Sequence, residues 1–299
     1  MRVGAFEVNE PLPRLKKPHA LTILRPWIDV GSVGTLTLNW LEKACHARQL
    51  AKLSRPGNFF DFTRYRPMLY LNEGRRQVTI PNCYINYSQR PTGNDFLFLH
   101  LLEPHMHSEF FIDSALRLLE MFEVERYYLV GSMYDFVPHT RPLLVTGGAT
   151  GRDAEEDYRK IGLVTGDYEG PITIFFLVSE LMSERGTDSM SLIVHLPQYT
   201  QLDEDYMGVS RLMKIFSSLY NIPVSEENIK QAEWQYEQII AQVARNPQVQ
   251  EIVEQLEAHY DARVAGKKAE VEERDEKLPT LSPEVEKFLR EMEKRFRKS

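Results

Sequence analysis

The sequence predicts an α/β domain carrying a charge-rich helical tail. Three observations lead there: apolar runs of strand length recur, helical periodicity alternates with them, and the pattern changes after Pro223. The runs stand at residues 20–24, 96–102, 127–130, 143–146 and 190–196. Uninterrupted apolar strands of this kind belong to a sheet covered on both faces. Helical patterns separate them at residues 33–46 and 108–122, where Phe111, Ala115, Leu118, Leu119 and Phe122 repeat at three-to-four-residue spacing. Strand and helix thus alternate, which favours parallel pairing.

Between residues 50 and 90 the runs shorten. Residues 68–71 and 77–80 flank Asn72-Glu73-Gly74-Arg75, a glycine-bearing connection suited to a hairpin, expected at the sheet edge. Residues 170–186 are ambiguous, because Ile172-Thr173-Ile174-Phe175-Phe176 reads as a strand. Pro171 at a first-turn position and Gly186 past the end decide for a buried helix. Beyond Pro223, Ile229, Ala232, Tyr236, Ile239 and Val243 step by three and four, and Val249, Val253, Leu256 and Tyr260 resume the stripe. Asn246-Pro247 reads as a cap followed by a first-turn proline.

The α/β domain is therefore expected over residues 1–265, with its C-terminal helices from about 226. Residues 266–282 are dominated by charge and read as a linker or solvated helix. Residues 283–299 read as an amphipathic helix whose face of Val285, Phe288, Leu289, Met292 and Phe296 is a candidate partner-binding surface.

Hydrophobic residues at 42% suffice for a sizeable core, and a net charge of −7 argues against nucleic acid as a general partner. Cys45 and Cys83 are too few for a disulfide framework or a four-cysteine zinc site, and both read as reduced thiols. No apolar stretch approaches the roughly 20 residues that span a bilayer, and no signal-peptide pattern opens the chain, so a cytoplasmic protein is expected.

Several segments could carry chemistry. Asp29-Val30-Gly31-Ser32-Val33-Gly34 joins a strand to a helix, where free amides could hold an anion, but it matches neither phosphate fingerprint and Asp29 would repel one. A tight turn with close packing at the glycines is the simpler reading. His100, Glu103, His105 and His107 sit at the end of a buried strand and in the loop after it, where His105 and His107 could share a side and bind zinc with Glu103, although no further motif completes a shell. No metal and no cofactor are assigned. Val137-Pro138-His139-Thr140-Arg141-Pro142 is stiffened by two prolines and would present His139, Thr140 and Arg141 near a strand's carboxyl end. An imidazole, a hydroxyl and a guanidinium suit a carboxylate or phosphate, with His195 able to line the same crevice and Glu103 and His105 as further candidates. The same groups could instead tie loops together. No Gly-x-Ser-x-Gly elbow is present, and no catalytic residue is assigned.

In their order, these segments resemble the proteasome assembly chaperone 2 family in its bacterial branch, over roughly residues 20–260. The resemblance rests on the Asp29 to Gly34 turn, Glu103-Pro104-His105, Val137-Pro138-His139-Thr140-Arg141-Pro142, Glu184-Arg185-Gly186 and Val194-His195-Leu196-Pro197-Gln198-Tyr199. It implies a three-layer α/β/α sandwich similar to the purine nucleoside phosphorylase-like fold, with a C-terminal helical extension. It also implies a homo-oligomer whose partners are itself and a further protein, since eukaryotic and archaeal relatives assist or bind proteasome subunits. It transfers no catalytic residue. One departure is Asp29, which stands where the family often has the first glycine of the turn. The competing expectation is an enzyme or binder of a phosphate- or nucleotide-type ligand, using the crevice near His139, Arg141 and His195.

Overall fold

The computed structural model describes residues 1–165 and 170–266. In chain order the elements are β1 (Arg2–Val3), β2 (Phe6–Val8), β3 (His19–Arg25), α1 (Val33–Ala44), β4 (Arg48–Leu53), β5 (Met68–Asn72) and β6 (Arg75–Thr79). There follow β7 (Tyr84–Ser88), β8 (Phe96–Leu102), α2 (Ser108–Met121), β9 (Arg126–Asp135), β10 (Val145–Gly147), β11 (Ala149–Thr150), α3 (Arg152–Lys160) and β12 (Val164–Thr165). The chain continues through α4 (Ile174–Glu184), β13 (Asp188–Pro197), α5 (Tyr206–Tyr220), α6 (Glu226–Val243) and α7 (Pro247–Gly266).

The main sheet runs β1-β2-β4-β7-β8-β3-β9-β13-β10-β12, with β11 against β13. Its centre, β8-β3-β9-β13, is parallel, and antiparallel strands extend both sides. Central strands such as Phe96–Leu102 are apolar almost throughout because helices cover both faces. On one face α2 and α4 place Phe111, Leu118, Phe175 and Val178 against Leu97, Tyr127 and Leu129. On the other, α1, α3 and α5 place Leu38, Tyr158, Leu212 and Phe216 against Leu21, Tyr128 and Leu192. A third, smaller core joins α6 and α7 to Tyr199 through Tyr236, Ile239, Val249 and Val253.

The expected strands and helices form, with three corrections. The hairpin at residues 68–79 does not extend the sheet edge; β5 and β6 pair only with each other as a separate sheet, every residue exposed. The helix near residue 174 starts later than Pro171 suggested, with Thr173 as its N-cap and Pro171 ahead of it. The strand expected from Leu143 begins at Val145, and the Leu143 carbonyl accepts from Arg211 Nε at 3.2 Å. Residues 33–44 and 108–121 are helical as read, and Asn246 Oδ1 accepts from the Gln248 amide at 3.1 Å to open α7. The amphipathic face of Val285, Phe288, Leu289, Met292 and Phe296 lies outside the described residues. Among the described residues, no helix is long and apolar enough to cross a membrane.

At the amino end of the central strands, buried Arg126 bonds Asp157 at 2.6 Å, Asp188 at 3.3 Å and the Tyr128 hydroxyl at 3.2 Å. Tyr220 donates to Tyr128 at 2.8 Å, and His19 Nδ1 lies 2.6 Å from the Tyr220 hydroxyl. Burial, with Arg126 adding to it, lowers the His19 pKa from 6.5 to about 3. The folded state therefore binds fewer protons than the unfolded chain across that window. Stability from this group is present above pH 6.5 and is lost as pH falls towards 3. The slope should reach about 1.4 kcal/mol per pH unit, and urea titrations of His19→Gln between pH 6.5 and 4 should be flatter by that amount. Parallel wild-type and variant curves would contradict the assignment.

Candidate functional site

The turn at residues 137–142 leaves the carboxyl end of β9, where sheets of this kind place their ligands. In this chain α7 lies over that turn. Thr140 donates its hydroxyl to Glu257, and Arg141 bonds Asp261 through Nε at 3.0 Å and Nη2 at 2.9 Å. Arg141 also lies 3.3 Å from Glu257, and the Tyr260 hydroxyl donates to the Pro142 carbonyl at 2.8 Å. Glu257, Tyr260 and Asp261 are three and four residues apart, so one stripe of α7 meets the turn.

His139 points inward. Its amide donates to the Tyr199 hydroxyl at 2.7 Å, and its Nδ1 lies 2.6 Å from the same oxygen. The hydroxyl accepts from the amide and donates to Nδ1, which fits a neutral imidazole. Burial lowers the His139 pKa, with Glu257 opposing. Tyr199 belongs to the small core of α6 and α7, so the turn, the end of β13 and the C-terminal helices close as one unit.

His195 stands on β13 between two partners: Nδ1 is 2.7 Å from Asp135 Oδ2, and Nε2 is 2.6 Å from Thr146 Oγ1. Arg263 of α7 reaches the same Asp135 oxygen at 2.7 Å. Burial opposes the Asp135 charge, but hydrogen bonds and charge from His195 and Arg263 outweigh it and hold this carboxyl well below the usual range. By distance alone, Asp135, His195 and Thr146 form a carboxylate–imidazole–hydroxyl row like that of an activated nucleophile. Two observations weigh against that role. Asp135 is shared with a helix rather than devoted to the imidazole, and the Gly148 amide behind Thr146 is already held by Ser191 Oγ at 2.9 Å instead of being free for an oxyanion.

Glu103 and His105 sit apart from this turn, after β8. The Glu103 carbonyl accepts from the Tyr65 hydroxyl at 3.1 Å, and His105 Nδ1 accepts from the Asp61 amide at 3.2 Å while its ring packs on Tyr65. His100 bonds Glu42 at 2.7 Å beneath the sheet. Among the described residues no group of three His, Cys, Asp or Glu side chains is placed to hold a metal. Of the residues expected to share one crevice, His139 bonds Tyr199, Thr140 and Arg141 bond α7, and His195 bonds Asp135 and Thr146.

A cavity of about 700 Å³ remains beside this clasp, lined by Asp29, Gly31, Ser32, Tyr134, Asp203, Glu204 and Tyr206 among others. Asp29 accepts from the Thr35 amide at 3.0 Å and its hydroxyl at 2.5 Å, so it opens α1 and claims the donors an anion would need. Gly31 has φ +58°, and a Cβ there would lie 2.9 Å from the Asp205 Cβ. This is the tight turn expected of the segment. Among the described residues no lysine, arginine or histidine lines the cavity, and a phosphate would meet carboxylates. Asp205 itself is buried; burial raises its pKa to about 6 against the pull of bonds from Gly208 and Tyr236.

Of the residues that matter here, sequence reading missed Asp135, Glu257, Asp261 and Arg263. The one available signal was the stripe of Glu257, Tyr260 and Asp261. Asp135→Ala removes the acceptor shared by His195 and Arg263, and should cost about 3 kcal/mol of stability in urea unfolding. Arg141→Ala, at the exposed rim, should cost less. The reverse order would show that the outer ion pairs, not Asp135, hold α7.

Comparison with known proteins places the chain. A model of the PAC2 family matches residues 23–244. The fold is similar to that of a protein of unknown function from Corynebacterium glutamicum, with TM-score 0.77, 21% identity, and coverage of 87% of this chain and 98% of that one. It is similar also to a proteasome-assembly chaperone homologue from Mycobacterium tuberculosis, with TM-score 0.69, 20% identity, and coverage of 79% and 99%. A third likeness is to an archaeal proteasome activator from Pyrococcus furiosus, with TM-score 0.61, 17% identity, and coverage of 80% and 98%. No curated protein matches the chain. With most of its length matched by the family model, the chain belongs to the PAC2 family.

Proposed function

We propose that this chain is a homo-oligomeric, protein-binding protein of the assembly-chaperone type, with no reaction of its own. The observation that carries this reading is the occupation of the strand carboxyl ends by the chain's own α7, with His139, Arg141 and His195 committed to internal bonds. Outward, the domain carries exposed apolar residues such as Leu71, Val78, Phe110 and Leu177. Structural neighbours named as a proteasome-assembly chaperone homologue and a proteasome activator support protein contact as the mode of action. The final segment, with Val285, Phe288, Leu289, Met292 and Phe296, adds a candidate partner-binding surface.

A small-molecule role near His139, Thr140, Arg141 and His195 is the weaker reading, since a phosphate or nucleotide would have to displace α7. Two measurements separate them. Sedimentation velocity over a hundredfold range of about 1–100 μM should show self-association, weakened by ending the chain at Leu281; a single protomer at every concentration overturns the proposal. Thermal-shift assays with phosphate, nucleosides and nucleotides should show no stabilisation. A ligand at a hundred times its dissociation constant would give about 2.7 kcal/mol, and its loss in Arg141→Ala would establish the small-molecule reading instead.

A further inference from the structure

The hairpin of β5 and β6 stands away from the sheet. A lone two-stranded ribbon is only marginally stable in water, and both its edges carry unpaired backbone groups. Its side chains are also unsuited to solvent. Leu69 faces Val78 across the ribbon and Leu71 lies on the same side, with Leu71 74% and Val78 63% exposed. Met68 and Tyr70, both half exposed, occupy the other side. Arg75 and Arg76 make the ribbon basic within a chain of net charge −7.

A second exposed apolar surface adjoins the loop that leads into the ribbon. The loop leading into the ribbon is fixed to the start of α2: Phe59 stacks on Phe110 at 6.2 Å, and Phe59 and Phe60 meet Phe111 edge-on. Phe111 in turn meets Phe175 at 5.9 Å, which sets the first turns of α2 and α4 side by side. Outside that seam Phe110, Ile172, Phe176 and Leu177 are exposed, and Glu109, Asp113 and Glu180 are exposed on the same two helices. This face is apolar and mainly acidic, with Arg117 as the base beside Asp113, where the ribbon is apolar and carries two arginines to one glutamate, Glu73.

We infer that two copies of the chain exchange ribbons, each ribbon laying the side that carries Leu69, Leu71 and Val78 across the partner's α2–α4 face, with Arg76, which shares that side, against Asp113, Glu109 and Glu180. The inference rests on the self-association proposed above and names the surface that mediates it. A contact of this kind suits two-fold symmetry, because both halves occur on every copy and a reciprocal exchange covers both at once. Ribbon and face stay exposed within one chain, so the pairing is not made internally.

The test is a charge exchange in the full-length protein. Arg76→Glu, and separately Asp113→Lys with Glu180→Lys, change exposed side chains, so circular dichroism melts should match wild type. Sedimentation should show each variant's dimer dissociation constant raised at least about tenfold, and an equimolar mixture of the two should assemble as a heterodimer. Variants that assemble like wild type overturn the ribbon contact and leave self-association standing through another surface, such as the final segment. Loss of assembly in both without rescue on mixing places the ribbon elsewhere and also overturns it. A wild-type protein that stays a single protomer defeats the self-association reading and this inference together.

Discussion

β8, β3, β9 and β13 run parallel through the middle of the sheet, and helices cover both of their faces. A strand buried on both sides has room for polar chemistry only near its ends. That constraint arranges the rest of the molecule. At the amino end Arg126 gathers Asp157, Asp188 and Tyr128, while at the carboxyl end His195 and Asp135 face each other across β13 and β9. The Arg126 guanidinium and the His195 imidazole thus meet partners brought from other elements.

The carboxyl end is where this architecture usually leaves space for a ligand, and here the space is divided. One part is filled by α7, whose Glu257, Tyr260, Asp261 and Arg263 answer the turn residues one by one. The other is an open cavity with Asp29, Asp203 and Glu204 on its walls. A fold capable of holding anions has thus given its donors to itself and presents acid to solvent.

Much of this was readable from residue patterns. Strands such as His19–Arg25 and helices such as Ser108–Met121 follow from short-range periodicity, and their boundaries came within a few residues. The turn at Pro138-His139-Thr140-Arg141-Pro142 was singled out because two prolines and three functional groups in six residues are conspicuous. Its purpose was not readable: Arg141 bonds Asp261, 120 residues away, and no local pattern encodes a partner at that distance. The hairpin shows the same division. Asn72-Glu73-Gly74-Arg75 announces the turn, but whether the ribbon joins the sheet depends on a pairing that neither strand specifies.

The clasp over the turn also bears on the order in which the molecule can be completed. Synthesis proceeds from the amino end, and the sheet strands through β13 emerge well before Glu257, Tyr260, Asp261 and Arg263. Until α7 appears, the Arg141 guanidinium and the Asp135 carboxylate lack their helix partners, and Tyr199 lacks most of the small core it anchors. Closing a loop of more than a hundred residues is slow compared with forming a local helix. The nascent sheet therefore passes through a stage with its carboxyl end open, and docking of the last described helix is the step that seals it.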